Sequence, residues 1–368
     1  MKVPFLDPDI RAEDINRMVK SVKSGWLVYG PYAKEMELAL AAYLKAPYAL
    51  LTSSCTSALH EAVILAGVGP GDEVITTALS WVSSADIVIY EGATPIFADV
   101  EKETGLIDIE DVKKKITPRT KAIIVVHIYG QMVDMKAFAE LGKKHGIAII
   151  EDSAHALEAS RDAIRPGQLG FAACLSFHAA KNITSGQGGA LILHTPQEEH
   201  RARLIRRNGV MGRDQNRRKH ELGYKYDGTD FQAALLVGQL KRIKSTHAQR
   251  ERVFERYDKA FKGHPKIRTL SRVPNSVHAY HMYPIFVDAK RRDEIREKLR
   301  DANIETSIHW EAIHLEPWYR NKYGYREGMH PVAEEMGASE ITLPTYSRLT
   351  PKQQNHVINA VLNAVDTI

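Results

Sequence analysis

The segment Leu175-Ser176-Phe177-His178-Ala179-Ala180-Lys181-Asn182-Ile183-Thr184-Ser185-Gly186-Gln187-Gly188-Gly189 sets one lysine between an apolar run and a glycine-rich turn, among small and polar neighbours. Most lysines are solvated surface groups, and that plain reading stands for any lysine taken alone. A lysine that is buried or paired with a cofactor behaves differently: its pKa falls, its neutral amine is nucleophilic, and it forms a Schiff base with an aldehyde. Glycines beside it let backbone approach a flat molecule closely.

Two other stretches carry groups that would complete such chemistry. Leu51-Thr52-Ser53-Ser54-Cys55-Thr56-Ser57-Ala58-Leu59 joins a strand end to a helix start, where unpaired amides, the helix dipole and the hydroxyls of Thr56 and Ser57 converge on an anion. Ser54 as a simple helix cap is the alternative. Ile149-Ile150-Glu151-Asp152-Ser153-Ala154-His155 puts two acids and a histidine at the carboxyl end of an apolar strand, where open α/β sheets form their ligand crevice. A carboxylate there suits a protonated heterocyclic nitrogen, each keeping the other charged; otherwise Asp152 caps the following helix.

The elements that must position these groups are legible from periodicity. Apolar runs of strand length occur at 73–77, 94–100, 121–127, 148–152, 173–177 and 190–194, and helical spacing at 54–66, 83–91, 108–115, 135–145 and 197–206. Strand and helix in alternation predict an α/β domain with a mainly parallel sheet covered by helices on both faces. After Asp230 come helical stretches at 231–245 and 248–261, a strand at 281–287, a helix at 291–302 and a terminal helix opened by Thr350-Pro351. The chain therefore divides into an arm at 1–30 ending in Tyr29-Gly30-Pro31, a large domain at 31–245 and a smaller C-terminal α+β domain at 246–368.

Composition narrows the function classes. With 368 residues, 44% of them hydrophobic and 26% charged, the chain can bury a large core. Fifty Lys and Arg against 45 Asp and Glu leave +5, a weak excess that gives no reason to invoke nucleic acid. Cys55 and Cys174 match no disulfide framework or cysteine metal site, so no metal is expected. The N-terminal Met1-Lys2-Val3-Pro4-Phe5-Leu6-Asp7-Pro8 lacks the apolar core of a signal peptide, and no apolar run approaches the ~18 residues of a membrane span. A soluble, cytoplasmic protein without membrane contact is the expectation.

The order of anion cup, acid and lysine resembles the DegT/DnrJ/EryC1/StrS sugar aminotransferases, pyridoxal phosphate enzymes of fold type I. The likeness covers nearly the whole chain: Val3-Pro4-Phe5, Ser24-Gly25-Trp26, Gly71-Asp72-Glu73-Val74-Ile75, Ser176-Phe177-His178 with Lys181-Asn182, Gly223-Tyr224-Lys225-Tyr226 with Thr229-Asp230, and Leu343-Pro344. The resemblance implies that Lys181 holds the cofactor covalently and then acts as base and acid, and that Asp152 pairs with the pyridine nitrogen. It implies that Cys55, Thr56 and Ser176 bind the phosphate, that Trp81 stacks on the ring, and that His155 lies close by in an auxiliary role. Cys55 departs from the Gly or Ala usual at its position, and Trp81 has a core aromatic as its alternative.

Lys225 stands where many members have an Asn that reaches the phosphate from the neighbouring subunit, which implies a homodimer with shared sites. His178, His309 and His314 match positions near the sugar-nucleotide pocket, with a structural role open for the last two. The implied reaction moves an amino group from glutamate to a keto group of a nucleotide-linked sugar. The Trp-Val-Ser, Ser-Phe-His and Gly-Tyr-Lys-Tyr motifs favour C4 of a UDP-linked 4-keto sugar, with 3-keto sugars, free keto sugars or a non-catalytic cofactor-binding regulator as alternatives. Members that dehydrate at C3 have His in place of the lysine, so Lys181 argues against that branch. The basic loop 209–222, with Arg213, Arg217, Arg218 and Lys219, reads either as a diphosphate clamp or as a solvated segment.

Overall fold

The computed structural model describes residues 1–211 and 216–367; Arg213 lies outside them. The main sheet holds β1 (Tyr48–Thr52), β2 (Glu73–Thr77), β3 (Thr94–Ala98), β4 (Thr120–Val126) and β5 (Ala148–Asp152). After a two-residue strand outside it, β6 (Ser160–Arg161), it is completed by β7 (Ala172–Ser176) and β8 (Gly189–Leu193). The order is β1-β8-β7-β5-β4-β2-β3. Only β8 runs against its neighbours, pairing antiparallel with both β1 and β7. Ile123, Ile124 and Val125 on β4 have no exposed surface, as a strand covered on both faces requires, and each contributes about 1.5–3 kcal/mol of burial.

The sequence-read strands at 73–77 and 148–152 and the helix at 135–145 keep those bounds, while the other runs up to residue 206 shift at their ends by one or two residues. Helix Met135–His145 shows the local cause. Asp134 accepts from the amides of Lys136 and Ala137, the last turn carries Lys143, Lys144 and His145, and Gly146 stops the helix in left-handed backbone. Thr350 caps Pro351–Asp366 with a capping box to Gln353. The expected helix at 231–245 is Asp230–Lys241, and the next begins at Ile243 and runs to Phe261.

Two short ladders follow, β9 (Val210–Met211) with β10 (Arg218–Lys219) and β12 (Ser276–Val277) with β6. A second sheet of three antiparallel strands, in the order β11-β13-β14, is built from β11 (Arg268–Thr269), β13 (Tyr283–Phe286) and β14 (Glu340–Leu343). Its apolar cluster includes Val253, Tyr257, Ile285, Leu299, Val357 and Val361, separate from the clusters on the main sheet, and takes in Val3 from the N-terminus. Residue 246 falls within the helix Ile243–Phe261, and we propose that the division between the two bodies lies at this helix. No helix among the described residues is long and apolar enough to cross a membrane.

The arm contains a helix, Ala12–Ser24, that the sequence reading did not anticipate. Its buried positions are Asp14 and Ser21 rather than an apolar stripe. Arg242 donates to Asp14 Oδ1 at 3.0 Å and Ser21 Oγ to Asp230 Oδ2 at 2.8 Å, so polar contacts dock it on Asp230–Lys241.

One glycine couples this fold to the site. A Cβ on Gly189 would stand 2.4 Å from the Ser54 carbonyl group and 2.6 Å from the Cys55 nitrogen, all backbone atoms that cannot rotate away. Gly189→Ala is expected to cost about 2 kcal/mol or more and to loosen cofactor binding through the displaced helix start. Thermal unfolding with and without cofactor measures both effects; a parent-like melting temperature and affinity would contradict them.

Candidate active site

Strand register brings three of the sequence-read stretches to one edge. Thr52 pairs with Gly189, Gly189 with Ser176, and Cys174, two residues before Ser176, with Asp152. β1, β5 and β7 all point their carboxyl ends to this edge, so the loops that leave them converge where open α/β sheets bind ligands. The result is a cavity of about 450 Å³ lined by Cys55, Thr56, Trp81, Asp152, His155, Ser176, His178, Lys181 and His309, together with Ser54, Ser83, Gln187, Met282 and Trp310.

Helix Cys55–Leu65 opens onto this cavity. Ser54 is its cap, accepting from the Ser57 amide at 3.1 Å, so the bland reading of Ser54 holds. It also leaves the first-turn amides of Cys55 and Thr56 without intrahelical acceptors, beside the Thr56 hydroxyl, on the cavity wall. Trp81 is 56% exposed, which removes the core-aromatic alternative and leaves a ring face open.

Asp152 is buried on the same cavity wall, its Oδ1 3.9 Å from Cys55 Sγ. Ser84 donates to its Oδ2 at 2.8 Å and the Ala154 amide to its Oδ1 at 3.1 Å. Burial raises the carboxyl pKa while these two donors pull it back down. Ser84 was not singled out from sequence, because a serine inside a helical run gives no sign of what it faces. Ser84→Ala is expected to raise the Asp152 pKa further, so the pH below which cofactor affinity falls moves upward. Cofactor titrations across pH check this, and an unmoved midpoint would contradict it.

Lys181 is partly buried, and desolvation brings its pKa down to about 8, against the opposing pull of Cys55 and Asp152. His155 stacks on Trp310, with ring centroids 5.3 Å apart and planes 17° apart, and accepts from the Tyr129 amide at 3.2 Å. Burial keeps its imidazole neutral, well below the usual range. His309 is bound through Nδ1 to the Thr342 hydroxyl at 2.9 Å, its amide donates to Glu340 Oε2 at 2.8 Å, and burial lowers its pKa to about 4.

The donor set matches a phosphorylated pyridine aldehyde. It offers amides and hydroxyls for a phosphate, an aromatic face, a carboxylate for a ring nitrogen, and an amine of lowered pKa for an aldehyde. A model of the DegT/DnrJ/EryC1/StrS aminotransferase family matches residues 8–362. The chain belongs to this family. It is a pyridoxal phosphate-dependent aminotransferase with the α/β fold of that family. Spore coat polysaccharide biosynthesis protein SpsC of Bacillus subtilis is 36% identical over 99% of this chain and 97% of its own length. Among solved structures, Spr1654 of Streptococcus pneumoniae, a candidate sugar aminotransferase, in its PLP form is 28% identical at a TM-score of 0.95, covering 100% of this chain and 99% of that one. PseC of Helicobacter pylori, an aminotransferase involved in pseudoaminic acid biosynthesis, is 27% identical at a TM-score of 0.94, with all of both chains covered.

Two residues marked out by the family resemblance lie elsewhere. His314 is outside the cavity lining, buried, with Nε2 2.9 Å from Glu334 Oε1 and its ring 4.6 Å from that of His330. Its surroundings are those of a structural histidine. Lys225 is exposed and also off the cavity lining of its own chain, with Nζ 4.0 Å from Asp227 Oδ2. Arg217, from the basic loop, lines a separate pocket with Lys225, Arg203 and Arg207. Trp310 and Gln187 line the family member's crevice without having been singled out.

Proposed function

We propose that this aminotransferase moves an amino group from glutamate to the C4 keto group of a nucleotide-linked deoxy sugar, in the cytoplasm, for surface polysaccharide, lipopolysaccharide or antibiotic sugar biosynthesis. The observation that carries the reading is that Lys181 and Asp152 share one cavity with the amide-rich start of helix Cys55–Leu65. The name of SpsC, a spore coat polysaccharide biosynthesis protein, supports a sugar acceptor. So do the aromatic faces of Trp81 and Trp310 on the cavity wall, which suit the apolar face of a sugar ring.

Bound pyridoxal phosphate supplies the electron sink for exchanging an amino group with a keto oxygen. The chain's own residues do the rest. Cys55 and Thr56 amides, with the Thr56 and Ser176 hydroxyls, would hold the phosphate; Trp81 would flank the ring; and Asp152, whose burial-raised pKa is drawn down by the Ser84 hydroxyl and the Ala154 amide, would pair with the ring nitrogen. With a pKa of about 8, a useful fraction of Lys181 is neutral near neutral pH, and its Nζ accepts and returns the proton of the exchange. His178 and His309, with pKa values lowered by burial, present neutral rings at the crevice, where they can hydrogen-bond sugar hydroxyls.

The working unit is inferred to be a homodimer in which Lys225 reaches the partner's cofactor phosphate. Lys225 is exposed and away from its own cavity, and Ile15, Val19, Val22, Trp26, Leu27 and Val28 form an exposed apolar stretch of the kind a partner covers.

Incubation with glutamate and a panel of UDP-, dTDP- and GDP-linked 4-keto sugars tests the substrate reading. A 4-amino sugar linked to one of these nucleotides is the expected product by mass and fragmentation. Turnover of free keto sugars, 3-keto sugars or small keto acids, with every nucleotide-linked 4-keto sugar refused, would overturn it.

A further inference from the structure

A second, much smaller cavity lies beside Lys181, lined by residues Phe5 to Pro8 of the arm and by Arg250 and His281. At about 20 Å³ it has room for a single water molecule. Two buried polar atoms on residues of its wall have no hydrogen-bond partner in the protein, His281 Nε2 and Arg250 Nε. Buried polar groups of native proteins are almost always paired with protein or water, so both atoms call for one.

The tautomer of His281 follows from its neighbours. The amide of Asn182 points one of its terminal atoms at the Ala279 carbonyl oxygen, 2.8 Å away. A carbonyl oxygen only accepts, so that atom is the Asn182 nitrogen, and the other, Oδ1, is an acceptor. His281 Nδ1 lies 3.0 Å from this Oδ1 and must donate to it. In a neutral ring the remaining nitrogen, Nε2, then carries a lone pair and no proton. The ring is neutral: it is buried, and the charged and titratable groups bearing on it are His155, Lys181, Arg250 and His309, none of them acidic. Asp7 and Tyr346 stand on the same cavity wall.

We infer that His281 is a positioning residue for Lys181, its bare Nε2 accepting from a single water in this cavity whose oxygen in turn accepts from the lysine Nζ. The inference rests on the proposed role of Lys181. The relay fixes one N–H of the amine toward the cavity beneath it and turns the amine's lone pair toward the active-site crevice. Asn182, the residue next to the lysine, holds the histidine in the one tautomer that serves this purpose, and its own amide is fixed by Glu158 as well as Ala279. Arg250, whose Nη1 donates to the Thr345 carbonyl at 2.7 Å, has its Nε free to donate to the same water.

The test is a ¹⁵N-histidine NMR spectrum of the parent holoenzyme, with the His281 resonances assigned by comparison with His281→Gln, followed by steady-state kinetics. A pyridine-type Nε2 and a protonated Nδ1 are expected throughout the active pH range. His281→Phe, which keeps a ring and removes the acceptor, should lower kcat about tenfold or more with KM for glutamate nearly unchanged, and His281→Gln, which returns an acceptor oxygen, should recover most of the loss. A proton on Nε2, or equal impairment in the two variants, would overturn the inference. The tautomer is read on the parent protein, so it decides even where His281→Phe does not fold. If Lys181→Ala abolishes cofactor attachment while His281 proves protonated on Nε2, the lysine's role stands and only the relay falls.

Discussion

Lys181→Ala is expected to yield a folded protein that has lost covalent cofactor attachment and at least about 10³-fold in turnover. The size of the effect follows from two roles falling on one atom. Nζ is the only amine on the wall of the 450 Å³ cavity, among the described residues, and desolvation has brought it to about 8, where neutral and protonated forms coexist near neutral pH. The histidines nearby do not replace it: burial holds His155 and His309 well below the range in which they would shuttle protons. The visible band of lysine-bound pyridoxal phosphate and the rate with glutamate measure the outcome. A variant that kept both would show that another lysine carries the reaction.

Asp152→Asn is expected to preserve the fold and to lower cofactor affinity and activity by about 10²-fold or more. The carboxyl group is buried and held by the Ser84 hydroxyl and the Ala154 amide, which draw its pKa back down against the larger upward push of burial. An asparagine is close to isosteric and still bonds its neighbours, but it offers no charge to keep a ring nitrogen protonated. The sign with pH is also set. Asp152 has a raised pKa, so the parent's affinity should fall as acid protonates it, whereas the asparagine variant should be weak throughout and flat across that range. Equilibrium dialysis of the cofactor at several pH values reads both features, and parent-like affinity in Asp152→Asn would exclude the ion pair.

The parts of the site legible in the sequence share a physical cause. Buried parallel strands are continuous apolar runs, so their ends are visible, and Asp152 and Ser176 sit at such ends with Lys181 a few residues beyond. The direction of β8 was not visible, because an apolar strand reads the same whichever way it runs. Helix Ala12–Ser24 was legible but passed over: Ile15, Met18, Val19 and Val22 recur at helical spacing, and what the sequence did not show is that Ile15, Val19 and Val22 stay exposed while Asp14 and Ser21 take the buried side. β14 escaped because it opens with Glu340, which reads as a surface residue yet is fully buried and holds the His309 amide, its pKa raised by burial to about 8. His314 and His309 look alike in Ser307-Ile308-His309-Trp310-Glu311-Ala312-Ile313-His314, but the turn between them sends one to the crevice and the other into a cluster with Glu334 and His330. Ser84 and His281 act through partners far away in sequence, Asp152 and Asn182, and only the folded chain brings these together.

The crevice is proposed to take an amino group from glutamate and hand it to a keto sugar. The most direct measurement is the absorption spectrum of the purified protein with pyridoxal phosphate, followed as glutamate and then a nucleotide-linked 4-keto sugar are added. A visible band that disappears with glutamate and returns with the keto sugar is expected. A protein that forms no such band, or whose band glutamate leaves unchanged, would contradict the proposal.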